Sequence, residues 1–386
     1  MGQDGFSEVT SESWFSRIAG AFKGILVGLA LFAVSFVLLF WNEGRAVKTY
    51  RALQEGSAAV IDVAADRIES SNDGRLVHVS GKAVTSAQLK DPVFQISAKA
   101  LKLARVVEMY QWKESSSRST EKKLGGGEET RTTYTYSKEW AGRTIDSSGF
   151  KQAADHQNPV AFPSESTEWL ADPVTIGAFT LTPAQVGRIG NALSLPVEAM
   201  PSEAVTLKEP VTVAGAGYYI GKDPAAPQIG DVRVSFKVTN PGDVSIVAKQ
   251  TGNSFAPYVT RNGKPIDLLE NGTASAAGMF KSARNSNKTL TLILRVVGFV
   301  LMFIGLNLML KPLSVLADVL PFLGSVVSVG TGIISFLASL LLTCITISIA
   351  WIVYRPVVGI CLLVVGGGLA YLIRNRLQAT KPAQTA

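Results

Sequence analysis

Long runs of uncharged, mostly apolar residues lie near both ends of this 386-residue chain, and a long polar stretch separates them. The first run, 24–42, contains no charged residue. A helix rises about 1.5 Å per residue, so about 20 apolar residues cross the hydrocarbon core of a bilayer. The first run therefore predicts a membrane-spanning helix. Acidic residues before it, and the lack of a small-residue cleavage site after it, favour a retained anchor over a signal peptide.

The C-terminal third repeats the apolar signal. The run 289–310 predicts a second span, with Arg295 near its start at the membrane interface, where a long side chain can reach water. The uncharged stretch 319–354 would make a single helix of about 54 Å, longer than a bilayer core of about 30 Å. Pro321 and the glycines after it are therefore expected to break that stretch.

These patterns predict a series of segments. They are an N-terminal interfacial segment 1–23, a helix 24–42, an extramembrane domain 43–288, a helix 289–310, an interfacial or re-entrant segment 311–327, helices 328–354 and 356–373, and a tail 374–386.

The polar middle contains alternating apolar and polar residues that are typical of strands. A strand is predicted at 75–81. One hairpin is predicted to pair 104–112 with 130–140 around a flexible tip, 115–129. A second is predicted to pair 232–238 with 244–250 through a type II turn at Pro241-Gly242, and a third to turn at Asn262-Gly263.

Helical patterns in the middle are fewer: 46–55, 86–89, 183–192 and 268–281. The predicted fold is therefore a membrane protein with four transmembrane α-helices and a large β-rich α+β domain between the first two. Four spans place both termini on one side of the membrane. The basic residues that flank the spans do not decide which side this is.

Charge and cysteine content narrow the functional classes. The net charge of +7 is spread along the chain without a dense basic run, so a nucleic-acid surface is not expected. Basic residues next to the first two spans favour anionic lipid. Both cysteines, Cys344 and Cys361, lie in apolar runs, so the middle domain must fold without disulfides.

The middle domain offers little chemistry. His78 and His156 are far apart in sequence and lack cysteine neighbours, so they make a poor metal site. Glu128-Glu129 is interpreted as a solvated charge pair in a loop. Asn271-Gly272-Thr273 fits the glycosylation pattern, which requires a secretory lumen. No catalytic, metal or cofactor residues are predicted, and the chain is not expected to be an enzyme.

Small residues mark faces of the spans. Gly20, Gly24 and Gly28 are four residues apart, and Gly298 and Gly305 are seven apart, so each set shares a helix face. Such faces let helices approach closely, either within one chain or between chains. Asn307 is the most polar residue deep in a span, and we interpret it as a hydrogen-bonding link between helices rather than part of a transport path.

Several blocks of sequence resemble the transmembrane protein 43 (LUMA) family, and they occur in the family's order over nearly the whole chain. The residues that carry the resemblance most clearly are Asn42, Glu43, Gly44, Arg45, Glu108, Met109, Tyr110, Gln111, Trp112, Asn307, Tyr354, Arg355 and Pro356. The chain departs from the family in 113–129 and in shorter loops around 190–228.

The resemblance implies four spans, cytoplasmic termini and a large domain in a lumen. It also implies an oligomerising scaffold with no catalytic residues. Emerin and lamin partners would apply only to a eukaryotic member in the endoplasmic reticulum or inner nuclear membrane. The low cysteine content and the high alanine and glycine content suit a bacterial member, which would lie in the inner membrane.

The expected function is therefore a membrane-organising scaffold that contacts lipid, itself and an unidentified protein. A channel or transporter component, using Arg295, Asn307 and 321–332, is the alternative, and a membrane-tethered hydrolase is a lesser one.

Overall fold

The computed structural model describes residues 5–198 and 211–357, and in these residues the chain forms four α-helices, nineteen β-strands and one short 3-10 turn. The helices are α1 (Trp14–Ala59), α2 (Pro183–Arg188), α3 (Ala276–Ala317) and α4 (Pro321–Tyr354), and the 3-10 turn is Ser70–Asn72. The strands are β1 (Gly5–Glu12), β2 (Ile61–Asp62), β3 (Leu76–Val84), β4 (Leu89–Lys90), β5 (Ser97–Ala98), β6 (Lys102–Lys122), β7 (Glu128–Ala141), β8 (Thr167–Leu170), β9 (Thr175–Ile176), β10 (Phe179–Thr180), β11 (Leu193–Leu195), β12 (Val211–Ala214), β13 (Gly217–Ile220), β14 (Val232–Thr239), β15 (Gly242–Thr251), β16 (Ser254–Ala256), β17 (Tyr258–Val259), β18 (Pro265–Ile266) and β19 (Leu268–Asn271).

Three helices in the described residues are long and apolar enough to cross a membrane. They are α1, α3 and α4, with 46, 42 and 34 residues and mean hydropathies of 2.3 to 2.5 in their most apolar parts. The chain is thus an integral membrane protein with three apolar helices and a large β-rich domain. The predicted fourth span, 356–373, lies almost entirely outside the described residues.

The long apolar stretch breaks at a different place from the one expected. The interruption falls at 318–320, between α3 and α4, and Pro321 occupies the first turn of α4, where its missing N–H costs nothing. Gly324, Gly330 and Gly332 lie inside α4 rather than in a break. In hydrocarbon each backbone N–H needs a partner, so a helix continues through glycine more readily than in water. The predicted interfacial segment 311–327 is accordingly divided between the ends of two helices.

The chain forms two compact units, which do not follow the predicted segment boundaries. The sheet unit comprises the described residues of 5–10, 52–119 and 130–283. The helical unit comprises 11–51, 120–129 and 284–357. The tip of the β6–β7 hairpin, 120–129, therefore belongs with the apolar helices.

Two sheets make up most of the sheet unit. The eight-stranded sheet has the order β1-β7-β6-β14-β13-β12, with β11 also paired to β14 and β8 to β6. The seven-stranded sheet has the order β10-β9-β3-β15-β16, with β19 also paired to β15 and β2 to β3. Inward-facing residues of both sheets share one hydrophobic core, which includes Val79, Met109, Phe236 and Ile246. Phe94 packs in this core against the rings of Tyr218 and Phe236.

Two of the three predicted hairpins are present. β6 pairs with β7, and β17 pairs with β18 across a turn in which Gly263 has a φ of 79°. The hairpin between 232–238 and 244–250 was wrong, because β14 pairs with β6 while β15 pairs with β3. These consecutive strands lie in different sheets. Gly242 lacks the positive φ that a type II turn requires, and the chain instead crosses from one sheet to the other.

The expected flexible tip 115–129 was also wrong in extent. β6 continues to Lys122 and β7 begins at Glu128, so five residues connect them, with Gly125 and Gly126 at positive φ. The helical pattern at 268–281 splits into β19 and the start of α3, and 86–89 is not helical. The short helix α2 begins with a capping box between Thr182 and Gln185, as its sequence favours.

Candidate functional site

A buried carboxylate joins the three long helices in the helical unit. Glu43 of α1 is fully buried immediately after the apolar run 24–42. Its Oε1 accepts a hydrogen bond from Nε of Arg295 at 2.6 Å, and its Oε2 accepts one from another guanidinium nitrogen of Arg295 at 2.9 Å. The indole Nε1 of Trp351 also donates to Oε2, at 2.8 Å. Glu43 thus ties α1 to both α3 and α4, and we call these three residues the Glu43 clamp.

The geometry of the clamp explains how a charge is tolerated there. A buried carboxylate is costly unless it is paired and its remaining lone pairs are satisfied. The guanidinium of Arg295 meets both oxygens in the bidentate arrangement that makes arginine–carboxylate pairs strong. Because both oxygens already accept donors, Glu43 is arranged to hold helices together rather than to take a proton from a substrate.

A second network extends the clamp between α1 and α3. The buried amide of Asn42 donates to the carbonyl of Thr291 at 3.0 Å. The guanidinium of Arg45 donates to Asn287 Oδ1 at 3.0 Å, to Thr291 Oγ1 at 3.0 Å and to Asn42 Oδ1 at 3.2 Å. The amide of Asn287 donates in turn to the carbonyl of Ala46 at 3.0 Å. All of these partners of Arg45 are neutral groups.

The signature residues around 354 meet those around 44. A Cβ on Gly44 would lie 2.6 Å from Cζ of Tyr354, so a side chain at this position would force the ring of Tyr354 to move. The guanidinium of Arg355 lies 6.0 Å from the ring of Trp351. Arg355, the residue before Pro356, has left the helical conformation, with a φ of −137° and a ψ of 64°. The structure therefore brings Asn42, Glu43, Gly44, Arg45, Tyr354 and Arg355 into one region, although more than 300 residues separate the two blocks.

Three of the five predicted packing glycines lie between helices of this unit. A Cβ on Gly28 would lie 2.7 Å from the carbonyl oxygen of Gly305, and one on Gly305 would lie 2.8 Å from that of Gly28. A Cβ on Gly298 would lie 2.6 Å from the side chain of Leu39. Around Gly20 and Gly24, no described atom lies within 4 Å of such a Cβ.

A second ionic cluster lies at the other end of the apolar run. The side chain of Asp318, 1% exposed, accepts from Arg17 at 2.5 Å and from Lys122 Nζ at 2.6 Å. Arg17 also pairs with Glu128 at 2.6 Å and donates to the carbonyl of Gly126. Glu128 is therefore part of an ion network and not of a solvated pair. We call these residues the Asp318 cluster; it fastens the hairpin tip to the ends of α1 and α3.

The signature block on β6 has a different role in the sheet unit. Met109 is buried in the core, while Glu108 on the opposite face pairs with Arg233 at 2.7 Å. Tyr110 packs against Trp140 with ring centroids 5.1 Å apart. On β13, which is separated from β6 by β14, burial and a hydrogen bond to Asp231 raise the pKa of Tyr219.

Gln111 and Trp112 hold the loop that follows β7. The buried amide of Gln111 donates to the carbonyl of Arg143 at 2.9 Å and accepts from the backbone N–H of Ile145 at 2.8 Å. Asn158 bonds both backbone groups of Trp112, at 2.7 and 2.9 Å. The loop so held borders a cavity of about 480 Å³ lined by Asp146, Gln157 and Pro159 among others. Hydrogen bonds from Ser148 to the carboxylate of Asp146 lower the pKa of Asp146.

The remaining sequence candidates are dispersed. Both ring nitrogens of His78 form hydrogen bonds, one with Asp62 at 2.6 Å and one with the carbonyl of Ala274 at 2.9 Å. His156 stacks on Tyr136 elsewhere in the sheet unit. The described residues contain no group of three or more side chains suited to hold a metal. Asn307 lies half-buried on α3, two residues after Gly305.

Sequence reasoning missed the partners of Glu43 and the whole Asp318 cluster. Asp318 is the one acidic residue in 296–373, and this isolation in an apolar region was a sequence signal that Asp318 has a specific role. Nothing in the local sequence pairs it with Arg17 or Lys122, because those residues lie about 300 and 200 positions away.

Comparison with known proteins identifies the family. A family model described as Transmembrane protein 43 matches residues 109–356. The mouse (Mus musculus) protein named Transmembrane protein 43 is 36% identical over 365 residues, covering 90% of this chain and 90% of that protein. The human (Homo sapiens) protein of that name is 35% identical over 383 residues, covering 95% and 94%. A Drosophila melanogaster protein named Transmembrane protein 43 homolog is 33% identical over 352 residues, covering 88% and 91%. No solved structure matches. The chain therefore belongs to the transmembrane protein 43 family.

Proposed function

We propose that this protein is a multi-pass membrane scaffold that organises membrane-protein assemblies by self-association through its helical unit and by protein contacts of its sheet unit. The observation that carries the proposal is how α1 uses its small residues. Gly28 contacts Gly305 within the chain. Gly20 and Gly24, which lie on the same helix, have no described neighbour. One stripe of glycines thus has a filled part and an open part.

The filled part shows what the stripe does in this protein. Between Gly28 and Gly305 each backbone lies so close to the other that neither position has room for a side chain. In lipid, helix association depends on such close packing, because burial of apolar surface gives no driving force there. A second copy of α1 that meets Gly20 and Gly24 would use the same chemistry.

The charged groups of the helices support a structural role. Glu43 is engaged by Arg295 and Trp351, and Asp318 by Arg17 and Lys122. These acids hold elements together, as a scaffold that must keep a fixed shape requires.

The test is the oligomeric state of the full chain in nanodiscs at low protein density. The variant G20L/G24L is compared with G330L/G332L, whose glycines likewise have no described neighbour within 4 Å of an added Cβ. We expect self-association of the wild type and of G330L/G332L, and a shift of G20L/G24L towards the monomer. A monomeric wild type, or equal association of all three proteins, would contradict the proposal.

Crosslinking identifies what covers the glycines. Cys344 and Cys361 are first replaced by serine, and a cysteine is placed at position 20. We expect an oxidative crosslink between two chains. If a second cysteine in the C-terminal segment 358–386 captures position 20 within one chain, the stripe is filled internally and the self-association proposal fails.

The channel alternative stays a prediction, and no specific contact favours it. Arg295 is paired with Glu43, and residues 321–332 form a regular part of α4. The hydrolase alternative likewise stays a prediction. The cellular location is also a proposal. A bacterial chain would lie in the inner membrane. A eukaryotic chain would lie in the endoplasmic reticulum and inner nuclear membrane, with emerin-like and lamin-like partners.

A further inference from the structure

Basic residues are concentrated at one end of the three apolar helices. The ranges 43–51, 284–295 and 354–355 contain seven basic residues and one acid, a net charge of +6. Contacts within the helical unit place these ranges beside one another: Glu43 meets Arg295, Asn42 meets Thr291, and Arg51 donates to the carbonyl of Tyr354 at 3.1 Å. We call this group the basic collar.

The single acid of the collar does not neutralise it. Glu43 is bonded to Arg295, and these ranges contain no second acid for Arg51, Arg284, Lys288 or Arg355. Arg45 is held by Asn42, Asn287 and Thr291, which carry no charge, and its buried Nε has no hydrogen-bond partner among the described residues. The next acid along α1, Glu55, accepts from the backbone N–H of Arg261 in the sheet unit.

The opposite end of the same helices has no such excess. There, the ranges 11–23, 120–129 and 311–320 contain five basic and five acidic residues. Asp318 is paired with Arg17 and Lys122, so charges at that end compensate one another within the protein. The excess of basic over acidic residues is therefore a property of the collar and not of the helical unit as a whole.

The position of the collar fits a membrane surface. Glu43 follows directly on the apolar run 24–42, and Arg295 precedes the apolar part of α3. Trp41, 55% exposed, lies at the same level, and tryptophan and tyrosine concentrate where the hydrocarbon core meets the headgroups. Lysine and arginine at this depth attract anionic lipid.

We infer that the basic collar binds the headgroups of anionic phospholipids. Exposed Arg51 and Lys288, with half-exposed Arg284 and Arg355, supply donors for lipid phosphates, and the excess charge makes an anionic headgroup preferable to a zwitterionic one. This site does not depend on self-association, because a single chain presents the whole collar.

The test measures lipid retained by the full-length protein. Wild type is reconstituted in vesicles of phosphatidylcholine with a minor fraction of phosphatidylglycerol, extracted in mild detergent and analysed for bound lipid by mass spectrometry. It is compared with R51Q/R284Q/K288Q/R355Q, which keeps Glu43, Arg45 and Arg295. The matched control is K90Q/K99Q/K222Q/K237Q, which removes the same charge from exposed lysines of the sheet unit.

We expect the wild type and the control to retain phosphatidylglycerol severalfold above its share in the vesicles, and the collar variant to retain it at about that share. The enrichment of the wild type should also fall at high salt, because exposed charges are screened. Wild-type enrichment that is absent or insensitive to salt, or an equal loss in the control, would overturn the inference. The oligomeric state of the wild type is measured separately, so failure of the scaffold proposal leaves this result interpretable.

Discussion

At the scale of single residues, the helical unit depends on two acids that local sequence does not explain. Glu43 and Asp318 each lie beside an apolar run and are almost completely buried. Each binds two partners that are distant in sequence. Their neighbours along the chain indicate only that an acid stands at a membrane boundary. What the acid does depends on which helix ends the fold brings to it.

The Glu43 clamp gives a prediction about stability. Glu43→Gln should lower the free energy of unfolding by about 3–5 kcal/mol, because it leaves the guanidinium of Arg295 without its charge partner. The double variant E43M/R295M should lose less than E43Q, because no charge stays unpaired. Unfolding in mixed micelles with increasing denaturing detergent measures both values.

The control for the clamp is Arg284→Gln, which removes a charge at the same end of the helices. It should change the free energy of unfolding by about 0.5 kcal/mol or less. Equal losses for E43Q and R284Q would show that the clamp does not carry the stability assigned to it.

At the scale of elements, the extended β6–β7 hairpin differs most from expectation. Serine, glycine and charged residues in 115–129 suggested a flexible tip, yet the ladder continues almost to the turn. Serine and threonine tolerate an extended backbone, and a ladder supplies partners for N–H and C=O groups whatever the side chains are. Sequence polarity showed correctly that this segment is largely exposed, but it did not show that the segment is ordered by pairing.

The docking of the tip predicts protection from proteolysis. In the wild type, Lys122 is held by Asp318, and trypsin should cleave slowly after Lys122 and Lys123. Asp318→Asn should speed this cleavage severalfold, since it weakens the bonds to both Arg17 and Lys122. Asp155→Asn, an exposed position in the sheet unit, is the control and should cleave at the wild-type rate. The same rate in all three proteins would argue against the docking.

At the scale of the whole molecule, the contacts of the tip bear on membrane topology. Arg17 and Glu43 are 26 residues apart on α1, about 39 Å along the helix, so they lie on opposite sides of the apolar run. Residues 120–129 meet Arg17 and Asp318. The expected topology, which places all of 43–288 on the Glu43 side, conflicts with this contact.

Labelling of single cysteines decides between these arrangements. After replacement of Cys344 and Cys361 by serine, cysteines at positions 11 and 124 are tested with a membrane-impermeant reagent in sealed, oriented vesicles. The contacts predict that both positions react from the same face. Reaction from opposite faces would support the sequence-derived topology and would show that the tip does not dock on Arg17 in the membrane.

The sequence by itself determined that this is a membrane protein with long apolar helices, a cysteine-free β-rich middle domain and a place in the transmembrane protein 43 family. These properties follow from the length and period of apolar runs and from short blocks of residues, which are local. The tertiary structure decided which strands share a sheet, which glycines meet another helix and which cations neutralise Glu43 and Asp318. Those outcomes depend on contacts between residues hundreds of positions apart, and the burial that makes a charge costly or a glycine necessary exists only once the chain has folded.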